Sequence, residues 1–258
     1  MRITTIGTGT AAPHAKRAQS GTLIEVGSVR LLIDCGSAVV LRMAELGLAW
    51  QKITHVAVTH FHADHTSDLA TLIYGWRYGQ LPPRTEPVEL IGPPGFAALV
   101  GSLKASFGAG LLDDPPPITI RELAMGMAHA LADDVTLSRY KVPHTDESVA
   151  YSVSGRGRRV VVSGDTGFEP GLGVWAEGCD VLLCECSLPD ALALPTHLTP
   201  RQCGAIAAIA KPRRLVLTHF YPPVEAEDIE AQVAEHFGGQ VIRCHDGWSI
   251  DLEGEETS

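Results

Sequence analysis

The sequence has no long apolar run: none of its hydrophobic stretches reaches the ~18 residues of a membrane-spanning helix. Its opening, MRITTIGTGT, passes into a strand-like run without the basic segment and apolar stretch of a secretory leader. These two absences predict a soluble, cytoplasmic protein with no membrane partner. Positive charge is also scarce. Twenty Lys and Arg face thirty Asp and Glu, a formal net charge of -10, which excludes gripping nucleic acid through the whole surface and leaves room only for a local basic patch. The six cysteines (Cys35, Cys179, Cys184, Cys186, Cys203, Cys244) include no C-x-x-C pair, and the chain is too long for a disulfide scaffold, so they read as reduced, buried thiols. No fixed-period repeat is visible.

What is present is enough apolar material for a large core: 45% of 258 residues are hydrophobic. One domain is expected over residues 1–252, followed by an acidic polar tail, EGEETS, at 253–258. RITTIGTG, GTLIEVG and SVRLLIDCG read as β segments, with Gly27-Ser28 at a hairpin turn. SAVVLRMAELGL has helical spacing and KITHVAVTH returns to a buried strand. In DHTSDLATLIYGWRYG, Leu69, Leu72, Ile73 and Trp76 fall on one helix face. VELIG is expected as a strand, PPGFAALVGSLKASFG as a helix opened by proline, and DDPPPITIREL as a loop leading to a strand. VTLSRYKV, SVAYSVSG and RRVVVSGD then form three β runs. VLLCE, the helix PRQCGAIAAIA, the strand RRLVLTH, the helix VEAEDIEAQVAEHFG and a final strand pair complete the chain. Strands in runs as well as in alternation with helices predict an α/β fold of four layers, αββα, with two mixed sheets flanked by helices.

The segment THFHADH, residues 59 to 65, concentrates His60, His62, Asp64 and His65 at the exit of an apolar strand. Such groups repel one another and are costly to bury unless a cation compensates them. Imidazole nitrogen and carboxylate oxygen suit zinc, with bonds of about 2.0 to 2.2 Å. His60 and His62 alternate along an extended segment and share a side, whereas Asp64 and His65 enter a helix and are aimed elsewhere, which suggests two metal positions. One segment cannot complete two coordination spheres. Further ligands are available at other strand ends: His144 after LSRYKVP, Asp165 after VVVSG and His219 after RLVLT.

This ordered series, HFHADH, His144, GDT at 164–166 and His219, resembles the metallo-β-lactamase fold superfamily of dinuclear metal hydrolases, and within it the ribonuclease Z group. The likeness runs from TIGTGTAAP through LLIDCG to LTHFYP. It implies that His60, His62 and His144 hold one metal, that Asp64, His65 and His219 hold the other, that Asp165 bridges them, and that Asp34 supports them from beneath. Glu185, ending VLLCE, and His197, ahead of a helix, resemble a Glu and His pair of ribonuclease Z relatives, in which the histidine faces the scissile phosphate and the glutamate orients it. The implied cofactors are two divalent ions, Zn2+ by ligand type, with Mn2+ or Fe also compatible. Two such ions about 3.5 to 4 Å apart activate water near neutral pH. Asp64 would accept the nucleophile's proton and His197 would serve the leaving oxygen.

Ribonuclease Z enzymes usually carry an arm that grips tRNA, often between the counterparts of His144 and Asp165; here TDESVAYSVSGRGRRVVVSG forms only a hairpin. A phosphodiesterase acting on a small ester is therefore expected ahead of a tRNA 3′ processing endoribonuclease acting on RNA. An arylsulfatase-type esterase and a non-catalytic metal or nucleotide sensor are further alternatives. Arg156, Arg158 and Arg159 read as a solvated hairpin turn rather than a phosphate contact. His14 is a candidate for the pocket rim, and the family likeness suggests a homodimer.

Overall fold

The computed structural model describes residues 1–113 and 116–253; the expected tail lies outside the described residues from 254 onward. The first half of the chain contributes β1 (Arg2–Gly7), β2 (Gly21–Val26), β3 (Val29–Ile33), α1 (Val39–Glu45), β4 (His55–Ala57), α2 (Ala63–Thr66), α3 (Leu69–Tyr78), β5 (Val88–Gly92), α4 (Phe96–Phe107) and β6 (Ile118–Glu122). The second half contributes β7 (His129–Ala132), β8 (Val135–Lys141), β9 (Val149–Gly155), β10 (Arg158–Val162), α5 (Pro170–Trp175), β11 (Val181–Glu185), α6 (Pro200–Ala210), β12 (Arg214–Thr218), α7 (Ile229–Ala234), β13 (Gln240–Arg243) and β14 (Ser249–Asp251).

Two seven-stranded sheets result, ordered β14-β1-β2-β3-β4-β5-β6 and β13-β12-β11-β10-β9-β8-β7. Each is mixed in the same way. In the first, pairing is antiparallel from β14 to β3 and parallel from β3 to β6. In the second, it is antiparallel from β7 to β10 and parallel from β10 to β13. Inward-facing residues of both sheets share one core, in which Ile3, Ile24, Leu31 and Ile33 meet Leu137, Tyr151, Val153, Val160 and Leu183. The outer face of the first sheet is covered by α1, α3 and α4 through Met43, Ile73, Trp76 and Phe96. α6 and α7 cover the second sheet through Cys203, Ile206 and Val233. The expected αββα layering is the one observed.

Local chemistry explains most element ends. The β2–β3 hairpin turns at Gly27-Ser28, with Gly27 at φ 56°. The β9–β10 hairpin turns on Arg156 and Gly157, both at positive φ, as a two-residue turn matched to strand twist requires. Leu69, Leu72, Ile73 and Trp76 are all fully buried on α3.

Four expectations are corrected. The helix expected from Asp64 onward breaks between α2 and α3, where Asp68 N–H donates to the Cys35 carbonyl and the Asp68 carboxylate accepts from Val40 N–H at 3.1 Å. Prolines 93 and 94 precede α4, whose N-cap is Gly95, so proline does not open it. The long helix expected near the C-terminus contracts to α7, because a 3-10 turn occupies Pro222–Ala226 and Asp228 caps Ala231 N–H at 3.1 Å. The last two strands do not pair: β13 extends the second sheet, while β14 crosses to β1 in the first.

Candidate metal centre

Every chemistry-bearing residue lies at the same end of the two sheets. Asp34 follows β3, residues 59 to 65 follow β4, His144 lies just beyond β8, Asp165 beyond β10, Glu185 ends β11 and His219 follows β12. Asp34 and His219 both adopt left-handed backbone conformations (φ 60°), which side chains other than glycine rarely do and which neighbouring structure must hold in place. Gly164 (φ 58°) turns the chain into Asp165; a Cβ there would lie 2.9 Å from the Val149 carbonyl oxygen, so no larger residue fits.

The side chains converge in two groups, His60, His62 and His144 in one, and Asp64, His65, Asp165 and His219 in the other. In the first, His62 Nδ1 is 3.1 Å from both His60 Nε2 and His144 Nε2. In the second, Asp165 Oδ1 is 3.2 Å from His65 Nε2 and 3.3 Å from His219 Nε2, and Asp64 Oδ2 is 3.4 Å from His219 Nε2. Asp165 Oδ2 turns instead to the first group, 3.8 Å from His60 Nε2 and 3.7 Å from His144 Nε2. One carboxylate thus offers one oxygen to each group. Ligands at tetrahedral corners around an ion with bonds near 2.1 Å are separated by about 3.4 Å, the spacing seen here. His65 Nε2, His219 Nε2 and Asp165 Oδ1 are buried and make no hydrogen bond. Such orphaned groups are costly unless something binds them, and the donor set fits a pair of divalent cations.

The charge balance points the same way. Burial, reinforced by the neighbouring His65 and set against Asp165, pushes the His60 imidazole down to about 2, leaving its lone pair free. Burial likewise lowers His144. Asp64 is held at about 2: burial would raise it, but the neighbouring His219 and His65 imidazoles outweigh that. Asp165 falls well below the carboxylate range despite its burial, through His219 and His65. Burial opposes a proton on His65, yet Asp165 and Asp34 raise its pKa well above the usual imidazole value. The cluster therefore demands positive charge at its centre.

Beneath it, Asp34 accepts from His65 Nδ1 (2.7 Å), Thr59 Oγ1 (3.0 Å), Thr59 N–H (2.8 Å) and Ser20 Oγ (3.3 Å), and Thr59 Oγ1 lies 3.1 Å from His60 Nδ1. The His144 ring is oriented by the Thr196 carbonyl at 2.9 Å. Glu185 lies 3.1 Å from His197 Nδ1 and also accepts from Thr166 N–H (2.6 Å) and Leu198 N–H (3.2 Å). Burial works against a charged His197, but the Glu185 hydrogen bond and charge prevail and raise its pKa. A cleft of about 420 Å3 opens over both groups, lined in part by Gln19, Asp64, Asp165, His197 and Tyr221.

All nine residues singled out for metal binding or catalysis, with Asp34, meet at this centre. Others do not. His14 lines a neighbouring cavity with Arg17, Arg243 and His245, its Nε2 3.4 Å from Glu225, so the rim is formed by Ala11 and Gln19 of the same loop instead. Arg156, Arg158 and Arg159 sit at the opposite end of β10 from Asp165. There Arg158 bonds Asp180 at 3.0 Å and Arg159 bonds Ser152 at 2.9 Å, so they form a structural turn and do not face the cleft. Tyr221, Thr59 and Ser187 were not anticipated; Tyr221 could have been found from its place two residues after His219. A larger cavity, about 770 Å3, opens at the far end of the first sheet, where Arg84 bonds backbone carbonyls and Arg121 bonds Glu89. It gathers no comparable ligand set.

Comparison with known proteins agrees with this geometry. Residues 29–220 match the family model described as a Beta-lactamase superfamily domain. A protein of Mycobacterium sp. (strain KMS) named Ribonuclease Z is 31% identical over 268 residues, covering 93% of this chain and 92% of its own. Among solved structures, the metallo-beta-lactamase fold protein YhfI from Bacillus subtilis superposes with a TM-score of 0.85 at 22% identity, covering 96% of this chain and 98% of that one. Human tRNase Z, short form, gives 0.78 at 22%, covering 98% and 99%. The fold is that of metal-dependent hydrolases, and the chain belongs to the beta-lactamase superfamily, in the family of the proteins named Ribonuclease Z.

Proposed function

We propose that this protein is a phosphodiesterase that uses two divalent ions, zinc by ligand type, to hydrolyse a small phosphodiester. The observation that carries this reading is the Glu185–His197 pair beside the two ligand groups: Glu185 raises the His197 pKa and so favours the protonated ring that a departing ester oxygen needs. His60, His62 and His144 would hold one ion and Asp64, His65 and His219 the other, with Asp165 shared. Two ions so held would supply Lewis acidity, lowering the pKa of water and neutralising charge on the phosphate oxygens.

The chain's own residues do the rest. Asp64, its carboxylate kept ionised, accepts a proton from the attacking water. His197 donates a proton to the leaving oxygen, and Glu185 fixes its Nδ1 so that Nε2 is the atom presented to substrate. His197 and Tyr221 line the same cleft, beside the place the leaving group would take.

Small substrates are favoured because only the tight hairpin of β9 and β10 separates His144 from Asp165, leaving no protruding element there to grip RNA. The kinship with proteins named Ribonuclease Z supports a second reading, removal of 3′ trailers from precursor tRNA. One experiment separates the two: hydrolysis of a bis-aryl phosphate measured beside trailer removal from a precursor tRNA. Turnover of the small ester without trailer removal is expected, and efficient trailer removal with negligible turnover of the ester would reverse the order. His197→Ala should abolish turnover while both ions stay bound.

A further inference from the structure

Ser187 is fully buried between Glu185 and His219, and its backbone is already committed, its N–H to the Leu198 carbonyl at 3.0 Å and its carbonyl to Tyr221 N–H at 3.2 Å. The hydroxyl contacts both neighbours, lying within hydrogen-bond reach of Glu185 Oε2, 3.0 Å from His219 Nδ1 and 3.1 Å from the His219 carbonyl oxygen. It carries one proton. The carboxylate is the stronger acceptor and the closer partner, so the proton goes to Glu185, and a lone pair of Oγ is left to accept from His219 Nδ1–H. This fixes the His219 tautomer: its Nε2 carries no proton and faces Asp64 and Asp165 with the lone pair free.

A matching arrangement stands across the cleft. There Asp34 receives the Thr59 hydroxyl proton at 3.0 Å, and Thr59 Oγ1 accepts from His60 Nδ1 at 3.1 Å. In both places a buried carboxylate polarises a hydroxyl, and the hydroxyl sets an imidazole. On the second sheet the same carboxylate also holds His197.

We propose that Ser187 is a positioning residue that joins the Glu185–His197 pair to the second metal position, so that one buried carboxylate sets both the proton donor and the ligand His219. The inference rests on the two-ion reading of the site. It predicts that Glu185 substitutions loosen an ion as well as disabling His197, whereas His197→Ala does not.

The test is metal binding to the purified full chain, followed by equilibrium dialysis with zinc, alongside the melting temperature of the metal-free protein. Wild type binds two ions. Ser187→Ala should keep one at wild-type affinity and bind the other about 10- to 100-fold more weakly, while the metal-free variant still unfolds in one cooperative transition, and Ser187→Thr should restore the second ion. His62→Ala, which removes a ligand of the other position, should leave one tight ion, and adding Ser187→Ala should loosen that one too. Two tight ions in Ser187→Ala, or one in the double variant, would overturn the inference while leaving the two-ion reading intact. Failure of wild type to bind two ions would overturn that reading itself.

Discussion

Replacing Asp34 by Asn changes almost no volume, yet it should disable the second metal position. Oδ2 of Asp34 receives three donors, from His65 Nδ1 at 2.7 Å, Thr59 Oγ1 at 3.0 Å and Ser20 Oγ at 3.3 Å, while Oδ1 receives Thr59 N–H at 2.8 Å. An amide can place its oxygen on only one side. With oxygen at the Oδ1 position, the NH2 group confronts His65 Nδ1–H, and the ring must shift its proton to Nε2, the atom that faces Asp165. With oxygen at the Oδ2 position, NH2 confronts the buried Thr59 N–H. A hydrogen bond to a charged group contributes about 1.5 to 3 kcal/mol, so losing the His65 contact should weaken one ion about 10- to 100-fold. Zinc content after dialysis against graded free zinc measures it. Two ions retained by Asp34→Asn at wild-type affinity would refute the claim that this carboxylate sets the His65 tautomer.

Gly36→Ala would place a Cβ 2.0 Å from the Asp64 carbonyl oxygen, displacing the segment that carries Asp64; zinc binding should fall with activity, and an unaffected variant would show that this loop yields easily. Tyr151→Phe removes the hydroxyl that donates to the buried Val58 carbonyl at 3.0 Å, and urea unfolding should register a loss of about 1 to 3 kcal/mol. Burial would raise the Glu89 pKa, but the His129 hydrogen bond and the Arg121 ion pair hold it below its usual 4.5. A carboxylate with a lowered folded pKa stabilises above its unfolded value, and that contribution disappears as pH falls through the folded value. Stability of wild type should therefore drop more steeply than that of Glu89→Gln as pH falls below 4.5, and parallel stability curves would remove Glu89 from the account.

The convergence of these residues was legible in the sequence because their types are costly to bury and recur after apolar strands: His60 to His65, His144, Asp165 and His219 all obey that rule. The two-sheet layering was legible for a related reason, since alternating runs such as VTLSRYKV mark strands covered on one face. What escaped was decided by contacts between distant segments. Asp68 ends a helix early by bonding the loop at Cys35, which no local pattern signals. His14 looks like a rim residue until Glu225, more than two hundred positions away, turns it aside. Thr59 and Ser187 were invisible because a hydroxyl between a carboxylate and an imidazole leaves no spacing to read. The crossing of β14 to β1 depends on an edge of the first sheet being open, a property of the assembled fold.

The centre draws Asp34 and residues 59 to 65 from the first sheet, and His144, Asp165, Glu185 and His219 from the second. Neither half can close a coordination sphere alone, so an ion held there acts as a clasp between two layers that otherwise meet through a largely apolar core and a few hydrogen bonds such as Tyr151 to Val58. Binding and docking of the sheets are then one equilibrium. Free metal at a hundred times its dissociation constant adds about 2.7 kcal/mol per ion to the folded state. A chelator should accordingly loosen the sandwich along its ligand-bearing edge first, and amide exchange in the loops after β4 and β12 should accelerate before exchange in the strands themselves.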